Sequence, residues 1–461
     1  MKKSSFLQVI QDIFSDSREA ITKGDLITKL SLVIFGLGSA LRGQIIKGVL
    51  YFLIELAYII YFFSTGFGFI GMLPSLGKAT QQRIFNETTQ IYDITQGDNS
   101  MQILLFGVLS IFLLVFLVAT ALKSCKAAYA AQVALENKKA PSTFTEDLKG
   151  MLDGHLQTTV LSLPAFGAFA FTILPLIFMI CMAFTNFDRD HQPPGNLFTW
   201  VGFDNFKAVF YENPQWSTTF LGILGWTLIW AFFATFTNYI LGMILAILIN
   251  QKGLKLKKMW RTFFVSTIAV PQFVSLLLMQ LVLQDTGPLN ILLRQIGLVD
   301  AQSFIPFLTD GNVARVTVII VNIWVGVPYT MLITTGILMN IPEDMYESAR
   351  IDGANPLQMF MSITLPHMLF VTTPYLITTF IGNINNFNVI YFLTGGGPPT
   401  LSYYQAGKTD LLVTWLYKLT VNEQNYSLAS TIGILVFVFS ATMALVSYNR
   451  SASVQREGEF S

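Results

Sequence analysis

The chain has 461 residues, of which 53% are hydrophobic and only 12% charged, with 40 Phe and a formal net charge of +1. Soluble domains carry roughly 25% charged residues, so this composition leaves too little polar surface to face water on every side and suits lipid as the solvent. The near-zero net charge excludes bulk electrostatic attraction to nucleic acid. Cys125 and Cys181 lie outside any metal or disulfide spacing, and His155, His191 and His367 are isolated, which speaks against a thiol site or a metal enzyme.

The N-terminus opens with Lys2 and Lys3 and continues as a mixed stretch, Phe6 to Asp16, without the apolar core and cleavage site of a removable signal. Beyond it lie long continuous apolar runs. A helix needs about 20 such residues to cross the hydrocarbon core, and only helices and closed barrels satisfy every backbone group there. The runs predict an all-α membrane bundle with spans at 45–64, 102–122, 157–184, 220–249, 262–284, 313–339, 370–393 and 428–448. The shorter stretch 26–41 is expected as an interfacial helix. With both termini in the cytoplasm, most of the Lys and Arg residues fall in inner connections, as the positive-inside bias requires. The chain then divides into an N-terminal segment with two peripheral spans (1–150), a six-span core (151–450) and a cytoplasmic tail (451–461). The outer loop between the first two spans is too short for an ordinary independent domain.

Between the sixth and seventh spans runs an inner loop, 340–368. Pro342 suits a helix start, Glu343 and Asp344 suit the positive end of its dipole, Gly353 suits a left-handed C-terminal cap, and Asn355-Pro356 reads as a cap followed by a first-turn proline. Two short helices are expected to meet at Asp352-Gly353-Ala354. The first carries acidic groups with an apolar stripe of Met345, Tyr346 and Ala349. Such a helix suits docking on a soluble partner, and equally suits packing on its own bundle.

Polar residues in the apolar runs mark a path or interhelical hydrogen bonds. Thr317 and Asn322 fall in the sixth span; Asn383, Asn385, Asn386 and Asn388 fall in the seventh. Amides and hydroxyls beside aromatic faces such as Trp324 and Tyr329 suit sugars, and Gly326 with Pro328 would loosen the helix locally. Glu55 is an intramembrane acid outside the core, where pairing with a neighbour is the expected role. Gly407-Lys408-Thr409 has the ending of a phosphate loop, but position 402 is Ser, and no other nucleotide or catalytic motif occurs. The chain is therefore expected not to be an enzyme and to bind no cofactor itself.

Glu347-Ser-Ala349, Gly353 and Ile363-Thr-Leu-Pro366 resemble the EAA loop of ABC-importer permeases, with Ser348 the one departure. Val201-Gly-Phe-Asp-Asn-Phe206 is similar to a segment of carbohydrate permeases. Asn322-Ile-Trp-Val-Gly-Val-Pro-Tyr329, Asn383-Ile-Asn-Asn-Phe387 and Thr394-Gly-Gly-Gly-Pro398 resemble maltose/maltodextrin permeases of the MalF type. Gly36 to Gly48 resembles the shorter Gram-positive forms, which places contacts made by the large outer domain of the enteric form in doubt. The resemblance implies a six-helix type I importer core. Its partners would be a second homologous permease, two ABC ATPase subunits holding ATP and magnesium, and an extracellular solute-binding lipoprotein. It also implies coupling through Glu347, Ser348, Ala349, Asp352 and Gly353, and an oligosaccharide contacted by Asn322, Gly326, Tyr329, Thr379, Asn383 and Asn386. Gln272 and Ser275, after Pro271, are alternative contacts from the fifth span. An ion-coupled sugar transporter is the rival reading, although such proteins usually carry intramembrane acids and repeat symmetry.

Overall fold

The computed structural model describes residues 17–450 except 155 and 252. The expected tail, the basic N-terminus and His155 fall outside the described residues. Among the described residues, seven helices are long and apolar enough to cross a membrane: Ile45–Met72, Ser100–Glu136, Leu156–Met182, Pro214–Asn250, Gly311–Leu338, Pro356–Ile384 and Tyr426–Arg450. The pair Lys257–Ala269 and Gln272–Val282, bent by 89°, makes an eighth when taken together. These are spans one to eight in chain order, the bent pair being span five. The chain forms two compact units, one ending at Val201 and one beginning at Gly202.

In the first unit, span two is a single 37-residue helix. At 1.5 Å per residue it is about 55 Å long, well beyond the roughly 30 Å of a hydrocarbon core. The helix runs past Lys123 and Lys126 to Glu136, so the connection expected after residue 122 begins as helix. The apolar stretch 26–41 is two five-residue helices, Leu26–Leu30 and Leu37–Leu41, rather than one. Gly36, at φ +77°, makes the break, and a Cβ there would lie 2.7 Å from the Gly48 Cα. Span one holds this turn through Glu55: the carboxylate accepts the Phe35 N–H at 2.7 Å, while Ser124 Oγ accepts the Gly36 N–H at 2.7 Å. Glu55 is buried and paired with backbone. Between spans one and two lies a hairpin, β1 (Arg83–Asn86) antiparallel to β2 (Ile91–Ile94), with Phe85 opposite Tyr92. Asp98 accepts the N–H groups of Ala79 and Lys78, which holds its carboxyl below the usual range.

In the second unit, caps set the helix starts. Asn213 Oδ1 accepts the N–H groups of Gln215 and Trp216 to begin span four, with Pro214 in the first turn. Asp310 does the same for span six. Span four packs most extensively on span six. Small residues permit this approach: a Cβ at Gly242 would lie 2.7 Å from Thr330 Cβ, and Thr334 Oγ1 donates to the Gly242 carbonyl at 3.4 Å. One apolar core gathers around Trp415, Ile223 and Ile432, another around Trp230, Leu276 and Ile390.

Two expected spans are corrected. The run 262–284 does not form one straight helix. Pro271 has no N–H to give and is extended at ψ 128°, so the chain turns sharply there and restarts at Gln272. The run 370–393 is displaced. Its helix starts at Pro356, where Asn355 and Gln358 form a capping box, and stops at Ile384. Asn386 then caps a separate helix, Phe387–Thr394. The asparagines thus mark a break between helices instead of lining one continuous span.

After that helix, the loop 395–411 folds back on span four. Trp226 Nε1 donates to the Thr409 carbonyl at 3.1 Å, and Tyr404 N–H donates to Thr219 Oγ1 at 2.7 Å. At its centre Asp410 is fully buried. Its carboxylate accepts from Lys418 Nζ at 2.6 Å, Gly407 N–H at 2.7 Å and Thr414 Oγ1 at 2.8 Å.

Candidate translocation site and coupling helix

Spans four, five, six and seven enclose a cavity of about 340 Å³. Span six contributes Asn322, Gly326 and Tyr329, three and four residues apart and so on one helix face. Span seven contributes Thr379 and Asn383, and the restart of span five contributes Gln272. Six residues expected from the sequence are therefore brought together. Two are not. Ser275 lies one turn beyond Gln272 and does not line the cavity. Asn386 is spent on the break: it caps Phe387–Thr394, and its Nδ2 donates to Asn383 Oδ1 at 3.2 Å. Trp324 also lies off the cavity, whereas Tyr329 lines it with its ring more than half exposed.

Asn383 is held from three sides. Its Nδ2 donates to Thr235 Oγ1 at 3.0 Å, its Oδ1 receives Asn386, and its backbone carbonyl accepts Trp230 Nε1 at 3.1 Å. Asn322 is 5% exposed, and its Nδ2 has no hydrogen-bond partner. The sequence reading missed the contribution of span four: Thr235, Asn238 and Tyr239 also line the cavity, as do Tyr375 and Thr378 of span seven. Thr235, Asn238 and Tyr239 are a hydroxyl, amide and phenol cluster inside an apolar run, the same signal that drew attention to spans six and seven. None of the lining residues is Asp, Glu, Lys or Arg.

The loop between spans six and seven forms the helix Glu343–Ile351. Pro342 stands just outside it as the cap, and Glu343 and Asp344 occupy its first turn with Arg350 in its last. Gly353 follows at φ +81°, a conformation that favours glycine. Tyr346 faces the bundle and shares a hydrogen bond with Thr364 at 2.9 Å. Ala349 is half-buried. Glu347, Ser348, Asp352 and Gly353 are exposed, together with Met345 and Ile351, the latter 86% exposed. The expected apolar stripe is therefore divided: Tyr346 and Ala349 turn inward, and Met345 joins Ile351 on the outer face.

The family described as binding-protein-dependent transport system inner membrane component matches residues 238–453, which include the span-seven wall of the cavity and the whole loop helix. The galactooligosaccharides transport system permease protein GanP of Bacillus subtilis is 33% identical over 432 residues, covering 94% of this chain and 99% of that protein. The chain belongs to this family. Binding-protein-dependent permeases are transport proteins, not enzymes, and this one is a multi-pass membrane permease of the ABC-importer class. It is similar to the maltose/maltodextrin permease MalF of Escherichia coli, 36% identical over 266 residues, 57% of this chain and 51% of that protein. A chain in the crystal structure of a bacterial ABC transporter involved in the import of the acidic polysaccharide alginate has the same fold, with a TM-score of 0.52 and 24% identity over 66% of this chain and 97% of that chain. The MalF-type resemblance read from the motifs and the all-α membrane bundle read from the apolar runs are borne out.

Proposed function

We propose that the chain forms part of the sugar path of an ATP-driven oligosaccharide importer whose cargo is a neutral, maltodextrin-like sugar. The observation that carries this reading is the chemistry of the cavity. It offers carboxamides, hydroxyls and phenols, and no charged side chain. A sugar's hydroxyls each need a donor and an acceptor, and its C–H faces suit an aromatic ring such as Tyr329. A uronate or an amino acid would need a buried counter-charge. The names of GanP and MalF, a galactooligosaccharide and a maltose/maltodextrin permease, agree with this class.

Asn322, Gly326, Tyr329, Thr379, Asn383 and Gln272 form the contact set, and Asn386 supports it through Asn383. The helix Glu343–Ile351 is the coupling element. Its exposed face of Met345, Glu347, Ser348 and Ile351, with Asp352 and Gly353, docks on a separate ABC ATPase that holds ATP and magnesium. ATP-driven closure of two such subunits moves this helix, and the bundle alternates its access around the sugar. A second homologous permease completes the path, and an extracellular solute-binding protein delivers the cargo. The termini lie in the cytoplasm, in keeping with the distribution of Lys and Arg. Residues 151–450 are assigned as the permease core and residues 1–150 as an N-terminal addition to it.

The test is purification from the native membrane in mild detergent, followed by reconstitution of the recovered complex in liposomes. Co-purification of an ATPase and a second permease, with maltodextrin uptake that requires ATP, is the expected result. Uptake by this chain alone, driven by a proton or sodium gradient, would overturn the reading.

A further inference from the structure

Gly326 and Asn238 face each other across the tight contact between spans six and four. A Cβ built on Gly326 would collide with the Asn238 carboxamide nitrogen and lie 2.7 Å from its Cγ. The carboxamide therefore rests directly on the bare backbone of span six. From there it lines the cavity, together with Asn322 one helical turn earlier on span six. Asn238 Oδ1 is buried and has no hydrogen-bond partner, and neither has the buried Asn322 Nδ2. One is an acceptor and the other a donor. Two unpartnered polar atoms of opposite character at one cavity wall are costly in an apolar bundle unless a ligand uses them.

We propose that Asn238 is a direct cargo contact, and that Gly326 is a positioning residue that makes room for it. This rests on the reading of the cavity as a sugar site. A hydroxyl group donates one hydrogen and accepts others. Asn238 Oδ1 takes the hydrogen of a sugar hydroxyl, and Asn322 Nδ2 donates to a sugar hydroxyl oxygen. In this positioning role the glycine acts through Asn238, by the absence of a side chain, while its backbone still lines the cavity.

The experiment uses the complete importer in liposomes, with maltotriose and its singly deoxygenated analogues as cargo. Asn238→Ala is expected to raise the half-saturating maltotriose concentration about tenfold, the loss of roughly one net hydrogen bond in a dry site. Gly326→Ala should give a shift of similar size, and the double variant should be no worse than either alone, because both remove the same contact. One deoxy analogue should bind the wild type more weakly than maltotriose yet be indistinguishable from it in Asn238→Ala. Asn238→Ser, which keeps a small polar side chain, provides the same readouts if the alanine variant does not fold. Wild-type affinity in both Asn238 variants would overturn the inference while leaving the sugar reading intact. Full additivity of Gly326→Ala with Asn238→Ala would overturn the positioning role. Failure of the wild-type importer to move any neutral oligosaccharide would overturn the sugar reading and this inference together.

Discussion

The phenol of Tyr346 and the hydroxyl of Thr364 share a hydrogen bond at 2.9 Å, which ties the helix between spans six and seven to the foot of span seven. The same span carries Thr379 and Asn383 into the cavity. A push on the loop helix thus reaches the cavity wall through one continuous helix. Tyr346→Phe removes the bond and keeps the ring packing. It should cost about 1 kcal/mol of stability and reduce the sugar moved per ATP hydrolysed, measured as the ratio of uptake to phosphate release in liposomes.

Glu347→Lys tests the docking face. Glu347 is exposed, so its reversal should leave the unfolding temperature within a degree or two, as surface changes of about 0.5 kcal/mol do. ATP-driven uptake should fall severely and the ATPase should be lost on detergent purification. Normal uptake by this variant would remove Glu347 from the coupling set.

Asn383→Leu separates path from scaffold. The substitution deletes the bonds to Thr235 and Asn386, leaving Thr235, itself buried, without this partner. A stability loss of about 1–3 kcal/mol is expected, together with a strong fall in sugar uptake and unchanged recovery of the ATPase. Loss of the ATPase as well would show that the residue is purely structural.

The loop 395–411 depends on the pair of buried Asp410 and partly exposed Lys418. Removing the carboxylate with Asp410→Ala leaves Lys418, the Gly407 N–H and Thr414 Oγ1 without this partner and should cost about 3 kcal/mol. Gly396→Ala should mimic it in part, because a Cβ there would collide with the Asp410 carboxylate. Thermal unfolding of both variants checks this; an unaltered midpoint for Gly396→Ala would show that the loop relaxes freely.

Asp147 gives a pH prediction. Burial works to raise its carboxyl, but the hydrogen bonds from Lys47 at 2.8 Å and from Ser142 outweigh it and hold the group below the usual range. A lowered folded-state value contributes stability above the ordinary carboxylate range, which disappears as pH falls through the lowered value. The helix Phe144–Leu152 should therefore exchange its amide hydrogens faster relative to the rest of the chain below about pH 4, and Asp147→Asn should abolish that step. The effect should be small, because the pair is partly exposed to solvent.

Spans one to four, six and eight were legible in the sequence because lipid imposes one rule on long apolar runs. The loop helix was legible because the residues that bound it, Pro342 and Gly353, act locally, as does the Asn355-Pro356 cap that starts the next helix. Span seven was misplaced because hydropathy averages over Asn383 to Asn388, whereas the hydrogen bonds that break the helix there are specific. The bend at Pro271 has the same origin: apolar residues continue through it, and only the missing N–H reveals it. Asn238 stood in a legible polar cluster of span four, but its contact with Gly326 on another span is recorded by no pattern along one helix. The hairpin between spans one and two was read only as a loop too short for a domain, since two four-residue strands give little periodicity.

The turn Phe360–Thr364 inside span seven is wound as a π-helix. Such a turn holds one residue more than an α-turn needs, and each residue advances an α-helix by about 100°. The residues below the turn and those above it are therefore out of phase with an unbroken helix. The direction of the end next to the loop helix and that of the end that lines the cavity can thus be set separately, with a single inserted residue as the gear between them. Removing one residue from this turn would leave both ends chemically intact and mis-clocked by about a quarter turn.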